Sequence, residues 1–212
     1  MTEDWLARWR EGRIGWHEEN GNRFLRKFWP DIASGRRVLV PLCGKSTDLV
    51  WLARNGHDVT GVELSEIAVR DFFAEAGLHF DTRVADDITW FIGQEARITL
   101  ACGDFFRFFD GPFDALYDRG ALVALPPETR PEYIRHLHTL LKPDAAKLLV
   151  TLEYDQARVS GPPFSILADE VLDYWDDLKC VVSRNDIDNS PPKFRKAGLT
   201  KVIESIWASC PA

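Results

Sequence analysis

The chain lacks paired cysteines. Cys43, Cys102, Cys180 and Cys210 lie far apart, and no C-x-x-C occurs. That excludes a zinc ribbon and a thioredoxin-type centre, and leaves packed thiols in a reduced protein with no metal site. Basic runs are also missing, and the formal net charge is −7. An acidic surface repels phosphate backbones, so nucleic acid is not an expected partner. No apolar stretch reaches the ~18–20 residues of a membrane span. The opening residues, MTEDWLARWREGR, are charged and carry no signal-peptide core. A cytoplasmic protein without membrane contact is expected. Repeats, low-complexity tracts, interdomain linkers and sustained heptads are absent too. The reading is one monomeric domain over residues 1–212, with 1–35 as a helical cover and 36–212 as the core.

What is present is ordinary globular composition, 45% hydrophobic and 28% charged, and an alternation of strands and helices. A short amphipathic helix is expected over Thr2–Glu11, with Trp5, Leu6 and Trp9 on one face. A second, over Arg23–Trp29, should stop at Pro30. RVLVPL (Arg37–Leu42) is an apolar run without alternation, as in a strand buried on both faces. DVTGVEL (Asp58–Leu64), RITLACGDF (Arg97–Phe105), FDALYDRG (Phe113–Gly120) and KLLVTLEY (Lys147–Tyr154) are four further strands. Cys180–Ser183 and Val202–Trp207 would close a sheet of seven, and Val84–Gly93 reads as a weak hairpin at its edge. Helices fall over Leu49–Gly56, after a Ser65 cap, over Glu128–Leu141 and near Ala168–Leu178. LKPD should turn the chain before the fifth strand. The pattern argues an α/β fold with a doubly wound, mostly parallel sheet and helices on both faces. Such sheets take ligands at the carboxyl ends of their strands, where the strand order reverses.

The residues at those ends suit a nucleoside. Gly44 lies in a tight turn after the first strand, and Glu63 follows about 20 residues on, at the end of the second. An acid there can accept both hydroxyls of a ribose, one per oxygen; a helix-capping or surface glutamate is the plain alternative. The loop P-L-C-G-K-S holds a single glycine. It lacks the G-x-G-x-x-G that brings amides to a pyrophosphate, and no Walker loop exists. A dinucleotide is thereby disfavoured, and a ligand with an amino-acid tail is not. Gly103-Asp104 ends the third strand, where an acid and a backbone amide can read the amino edge of adenine or merely begin a turn. Arg119 ends the fourth, with a donor fork for a carboxylate or carbonyl, or for a structural ion pair. His136 and His138 are two apart on a helix and share no face. Eight tryptophans are many for this length, and Trp5, Trp9 and Trp16 precede the first strand, placed to cover a pocket.

Four strings, VPLCGKS, GVELSEIAV, DRGALVAL and GPPF, stand in one order and spacing. With W-x-x-x-W at Trp5 and Trp9 and I-G-W-H at Ile14–His17, the chain resembles the thiopurine S-methyltransferase family from about residue 4 to its end. The resemblance implies a Rossmann-like class I methyltransferase that uses S-adenosyl-L-methionine. It implies cofactor contacts at Trp9, with Trp5 nearby, at Leu42 and Gly44, at Glu63, at Gly103 and Asp104, and at Arg119. The acceptor would meet Trp16, where the family usually has phenylalanine, His17, and Phe164 of GPPF. Phe105-Phe106-Arg107 and the ending IESIWASCPA depart from the family's usual pattern. The implied reaction is methyl transfer to a heteroaromatic thiol, with small selenium or tellurium compounds as the alternative acceptors, a detoxification role. A nucleotide-binding oxidoreductase or non-catalytic module is the reading from another class. A thiol of this kind is ionised near neutral pH, so no obligate base is expected; His17 is the nearest candidate.

Overall fold

The structure, a computed structural model, describes residues 2–14, 17, 18, 20–32 and 37–209. Two helices lead, α1 (Thr2–Arg10) and α2 (Arg23–Ile32). Then come β1 (Arg37–Pro41), α3 (Asp48–Arg54), β2 (Asp58–Glu63), α4 (Glu66–Ala76), β3 (Phe80–Ala85), β4 (Ile88–Gly93) and β5 (Ile98–Cys102). The rest is β6 (Phe113–Arg119), α5 (Arg130–Leu140), β7 (Leu141–Glu153), α6 (Ala168–Tyr174), β8 (Leu178–Asn185), α7 (Pro192–Lys196) and β9 (Ile203–Ser209).

All strands form one sheet in the order β3-β4-β5-β2-β1-β6-β7-β9-β8. The five strands from β5 to β7 run parallel. β9 and β8 add antiparallel at one edge, and the β3–β4 hairpin adds antiparallel to β5 at the other. The sheet therefore has nine strands, a correction to the expected seven. The hairpin read over Val84–Gly93 is present and longer: β4 pairs with β5 through Thr89–Ile92 and carries β3 outside it.

Alternate residues of the strands feed two cores. Val38, Val40, Ala115, Tyr117, Leu148 and Val150 pack with Phe24, Leu25 and Trp29 of α2 and with Leu49, Leu52, Phe72 and Phe73 of α3 and α4. Leu39, Val62, Leu116, Leu149 and Trp207 face the other way, against Tyr133, Leu137 and Leu140 of α5 and Val171 of α6. Period-two alternation thus survives within strands that are apolar on both faces, which is why β1 read as a continuous run.

The punctuation is local. Ser65 accepts from Ala68 N, and Gly77 closes α4 in the left-handed region at φ 65°. Two expected stops are corrected. α2 continues past Pro30 to Ile32, since the fixed φ of proline fits a helix and only one donor is lost near its end. LKPD is absorbed into β7: Leu141 pairs with Phe113 and Ala146 with Ala115, and the residues between form an irregular bulge. Among the described residues, no helix is long and apolar enough to cross a membrane.

Candidate active site

The parallel strands end on one side of the sheet, and the order reverses at β1, flanked by β2 and β6. Over that crevice the chain leaves β1 through Leu42 (φ 47°) and Gly44 (φ 54°), two left-handed residues that fold the loop back. Cys43 N extends the ladder by one bond, 3.1 Å to Val62 O. A Cβ on Gly44 would lie 3.2 Å from the Trp9 ring, so the indole rests on the loop backbone.

Glu63 meets this loop from below. It is 7% exposed, and each carboxylate oxygen holds one amide: Gly44 N donates to Oε2 at 2.9 Å and Ser65 N to Oε1 at 2.8 Å. A carboxylate offers about four acceptor sites, so each oxygen keeps a lone pair for a hydroxyl. Burial raises its pKa, while the amides of Ser65 and Gly44 pull the other way. The sequence suggested either a capping or a ligand-binding acid. The structure gives a carboxylate tied to its own turn with capacity left over.

Gly103 N donates to Glu63 O at 2.9 Å, and a Cβ there would sit 2.3 Å from Ile88 Cδ1, so glycine lets the hairpin close on β5. Asp104 Oδ1 accepts from Phe106 N at 3.0 Å and caps the 3₁₀ turn Phe105–Arg107. The turn-starting role is therefore present.

β6 ends in two residues with opposite fates. Asp118 points into the core, 1% exposed, accepting from Tyr133 Oη at 2.7 Å and from Ala121 N and Leu122 N at 3.1 Å each. Burial pushes its pKa up to about 6 despite those three donors. Arg119 points to the crevice and forms an ion pair with Glu18 in the loop between α1 and α2. A structural ion pair of Arg119, with Asp118 or another acid, is one of the two readings; the acid is Glu18, a residue the sequence did not single out.

The same loop is anchored below. Asn22 N donates to Asp48 Oδ1 at 2.7 Å, and Tyr117 Oη donates to Asp48 Oδ2 at 2.8 Å. Asp48 and Tyr117 carried no sequence signal, because their meeting spans 69 positions. At the far wall Phe164 N donates to Val123 O at 2.6 Å, and its ring packs on Gly161. Phe164 therefore stands beside the 3₁₀ turn Leu122–Ala124 that follows Arg119. Arg8 of α1 is close enough to help lower the pKa of Lys193, after burial, and Lys193 Nζ donates to Pro162 O at 2.7 Å.

Trp9, Gly44, Glu63 and Gly103 meet around the loop that Leu42 opens; Asp104 follows β5, Arg119 ends β6, and Phe164 stands beside the turn after β6. Trp5 lies on α1 under the Arg8 guanidinium, 5.1 Å from it. His17 is half-buried, and its N donates to Ile14 O at 3.0 Å. Trp16 lies outside the described residues. Among the described residues, no cluster of His, Cys, Asp and Glu could hold a metal ion. A groove of about 620 Å³ lined by Arg37, Asp58, Trp90 and Arg97 lies at the opposite, amino end of the strands and meets none of these residues.

With that geometry in place, comparison with known proteins is informative. Residues 1–209 match the family described as Thiopurine S-methyltransferase (TPMT). A thiopurine S-methyltransferase of Photobacterium profundum is 43% identical over 214 residues, covering 97% of each chain. One of Bordetella petrii is 44% identical over 213 residues, covering 97% of this chain and 96% of that one. Among solved structures, the Burkholderia thailandensis 1,6-didemethyltoxoflavin-N1-methyltransferase, bound to 1,6-didemethyltoxoflavin and S-adenosylhomocysteine, aligns with TM-score 0.62 at 18% identity, over 99% of this chain and 87% of that one. The [4+2]-cyclase SpnF aligns at TM-score 0.59 and 16% identity, over 90% and 81%. At such identities the likeness shows the fold alone, and the same fold evidently carries more than one reaction.

Proposed function

The chain belongs to the thiopurine S-methyltransferase family, and from that premise we infer that it methylates the sulfur of small heteroaromatic thiols. It is an S-adenosylmethionine-dependent methyltransferase. The observation that carries the reading is Glu63: a buried carboxylate, held by Gly44 and Ser65 amides at the point where strand order reverses, with more acceptor sites than those two donors use. That fits the two hydroxyls of a ribose. The single-glycine loop fits an amino-acid tail better than a diphosphate.

When bound, the cofactor supplies a sulfonium methyl for in-line displacement by a thiolate, whose proton has already gone to solvent. The residues of the chain hold, orient and cover. Glu63 takes the ribose, Gly103 and Asp104 border the adenine, Leu42 and Gly44 line the tail, and Arg119 presents its fork at the β6 wall. Trp9 and Trp5 on α1 supply aromatic faces, which attract a cation by roughly 0.5–2 kcal/mol. Phe164 and His17 shape the acceptor side. Alignment and exclusion of water then provide most of the acceleration, and His17 is not required as a base.

We further read the chain as one monomeric domain over residues 1–212, with α1 as a cover and α2 packed into a doubly wound core, acting in the cytoplasm on small molecules. Two measurements test the function. Calorimetry should show binding of S-adenosylhomocysteine and none of NADH; the reverse would sink the methyltransferase reading. A panel of heteroaromatic thiols, aliphatic thiols and selenite, run with labelled cofactor, should give the highest kcat/KM with the heteroaromatic thiols. A preference for selenite would replace the thiol reading by selenium methylation.

A further inference from the structure

We propose that Glu18 is a specificity-determining residue that turns the site against acceptors carrying a carboxylate. The inference rests on the reading that the crevice accepts aromatic thiols. Arg119 ends β6 just ahead of the turn Leu122–Ala124 whose Val123 O holds Phe164 N on the acceptor side, and Glu18 holds it in an ion pair, with side-chain exposures of 22% and 44%.

Both ends of this pair are built. Glu18 O accepts from Gly21 N at 3.1 Å and from Thr47 Oγ1 at 3.3 Å. Gly21 runs so close to Asp48 that a Cβ would lie 2.5 Å from Oδ1. Asp48 in turn holds Asn22 N and the hydroxyl of Tyr117, two residues before Arg119 on the same strand. The loop is therefore fixed to β6 from below, and the Glu18 carboxylate is delivered to Arg119 rather than wandering in solvent.

The consequence is electrostatic. A guanidinium fork alone would welcome a carboxylate in bidentate geometry. With Glu18 in place its charge is cancelled, and an incoming carboxylate meets a like charge at the same spot. Rejection by a placed repulsive group is a general route to selectivity. A neutral aromatic thiol meets no such barrier.

The test compares thiophenol with the ortho, meta and para mercaptobenzoates as methyl acceptors, using the whole chain. Glu18→Gln removes the charge and keeps a hydrogen-bonding oxygen. It should raise the kcat/KM of at least one mercaptobenzoate relative to thiophenol by roughly 5–10-fold, since a partly exposed pair couples at about 1 kcal/mol. Glu18→Asp keeps the charge and should leave that ratio near the wild-type value. A merely structural role for Glu18 would lower all acceptors together and leave the ratio unmoved. An unchanged ratio for all three isomers in Glu18→Gln overturns the proposal while leaving the thiol reading intact. No methyl transfer by the wild-type chain to thiophenol or to any isomer overturns this inference; if 2-mercaptopyridine and 6-mercaptopurine are not methylated either, the thiol reading falls with it.

Discussion

At the scale of single residues, the site depends on carboxylates used in different ways. Glu63 keeps acceptor capacity for a ligand, so Glu63→Ala should weaken S-adenosylhomocysteine binding by roughly 1–3 kcal/mol, because two ribose hydroxyls lose their acceptor. Calorimetry reads this directly, and unchanged affinity would remove Glu63 from the site. Asp118 has spent its acceptors on Tyr133, Ala121 and Leu122. Its pKa rises from 3.8 to about 6. Between those values the folded chain keeps a proton that the unfolded chain has released, so stability falls as pH rises through the window and is level above it. Asp118→Asn lacks this titration. In urea unfolding, the stability of the variant minus that of the wild type should therefore increase by up to ~3 kcal/mol from pH 4 to pH 7. A difference independent of pH would refute the assignment. These two acids also show what a sequence can yield. Glu63 was legible because its strand end and its spacing from Gly44 are local facts. Asp118 stands next to Arg119 and looked like its partner, but alternation along β6 sends the two side chains in opposite directions, and Tyr133 arrives from a helix.

At the scale of elements, boundaries set by backbone chemistry were readable. Ser65 caps α4 through Ala68 N, and Gly77 ends it at positive φ. Ser65→Ala should cost about 1 kcal/mol in unfolding free energy, a typical loss for a deleted N-cap. A loss below a few tenths would mean that the Glu63–Ser65 amide contact, which the variant keeps, holds the turn alone. The five parallel strands were legible as well, because both faces bury apolar side chains and leave unbroken runs. β3 was not. Its four middle residues are exposed, so no apolar pattern marks it as a strand. It is held as an edge by backbone pairing with β4, which no composition reveals. α7 is five residues long and also left no periodic trace.

At the scale of the whole molecule, the sheet and its helices stand apart from the cover. Phe24, Leu25 and Trp29 of α2 are part of the core that packs on β1, β6 and β7. Trp9 of α1 is buried at 6% exposure yet belongs to neither of the two cores on the sheet faces; its ring lies on Gly44 instead. Within the N-terminal segment, α2 is thus part of a sheet core and α1 is not. Deleting residues 1–12 should leave a single cooperative urea transition, lowered only by the burial of a few α1 side chains, on the order of 1–3 kcal/mol. The same deletion should weaken S-adenosylhomocysteine binding by at least about tenfold, since aromatic contact and water exclusion over the Gly44 loop are lost together. Loss of the cooperative transition would show α1 to be part of the core. Retained affinity in a folded variant would show that α1 rests on the loop without closing the site, and the enclosure would then fall to the Glu18–Asn22 stretch pinned on Asp48.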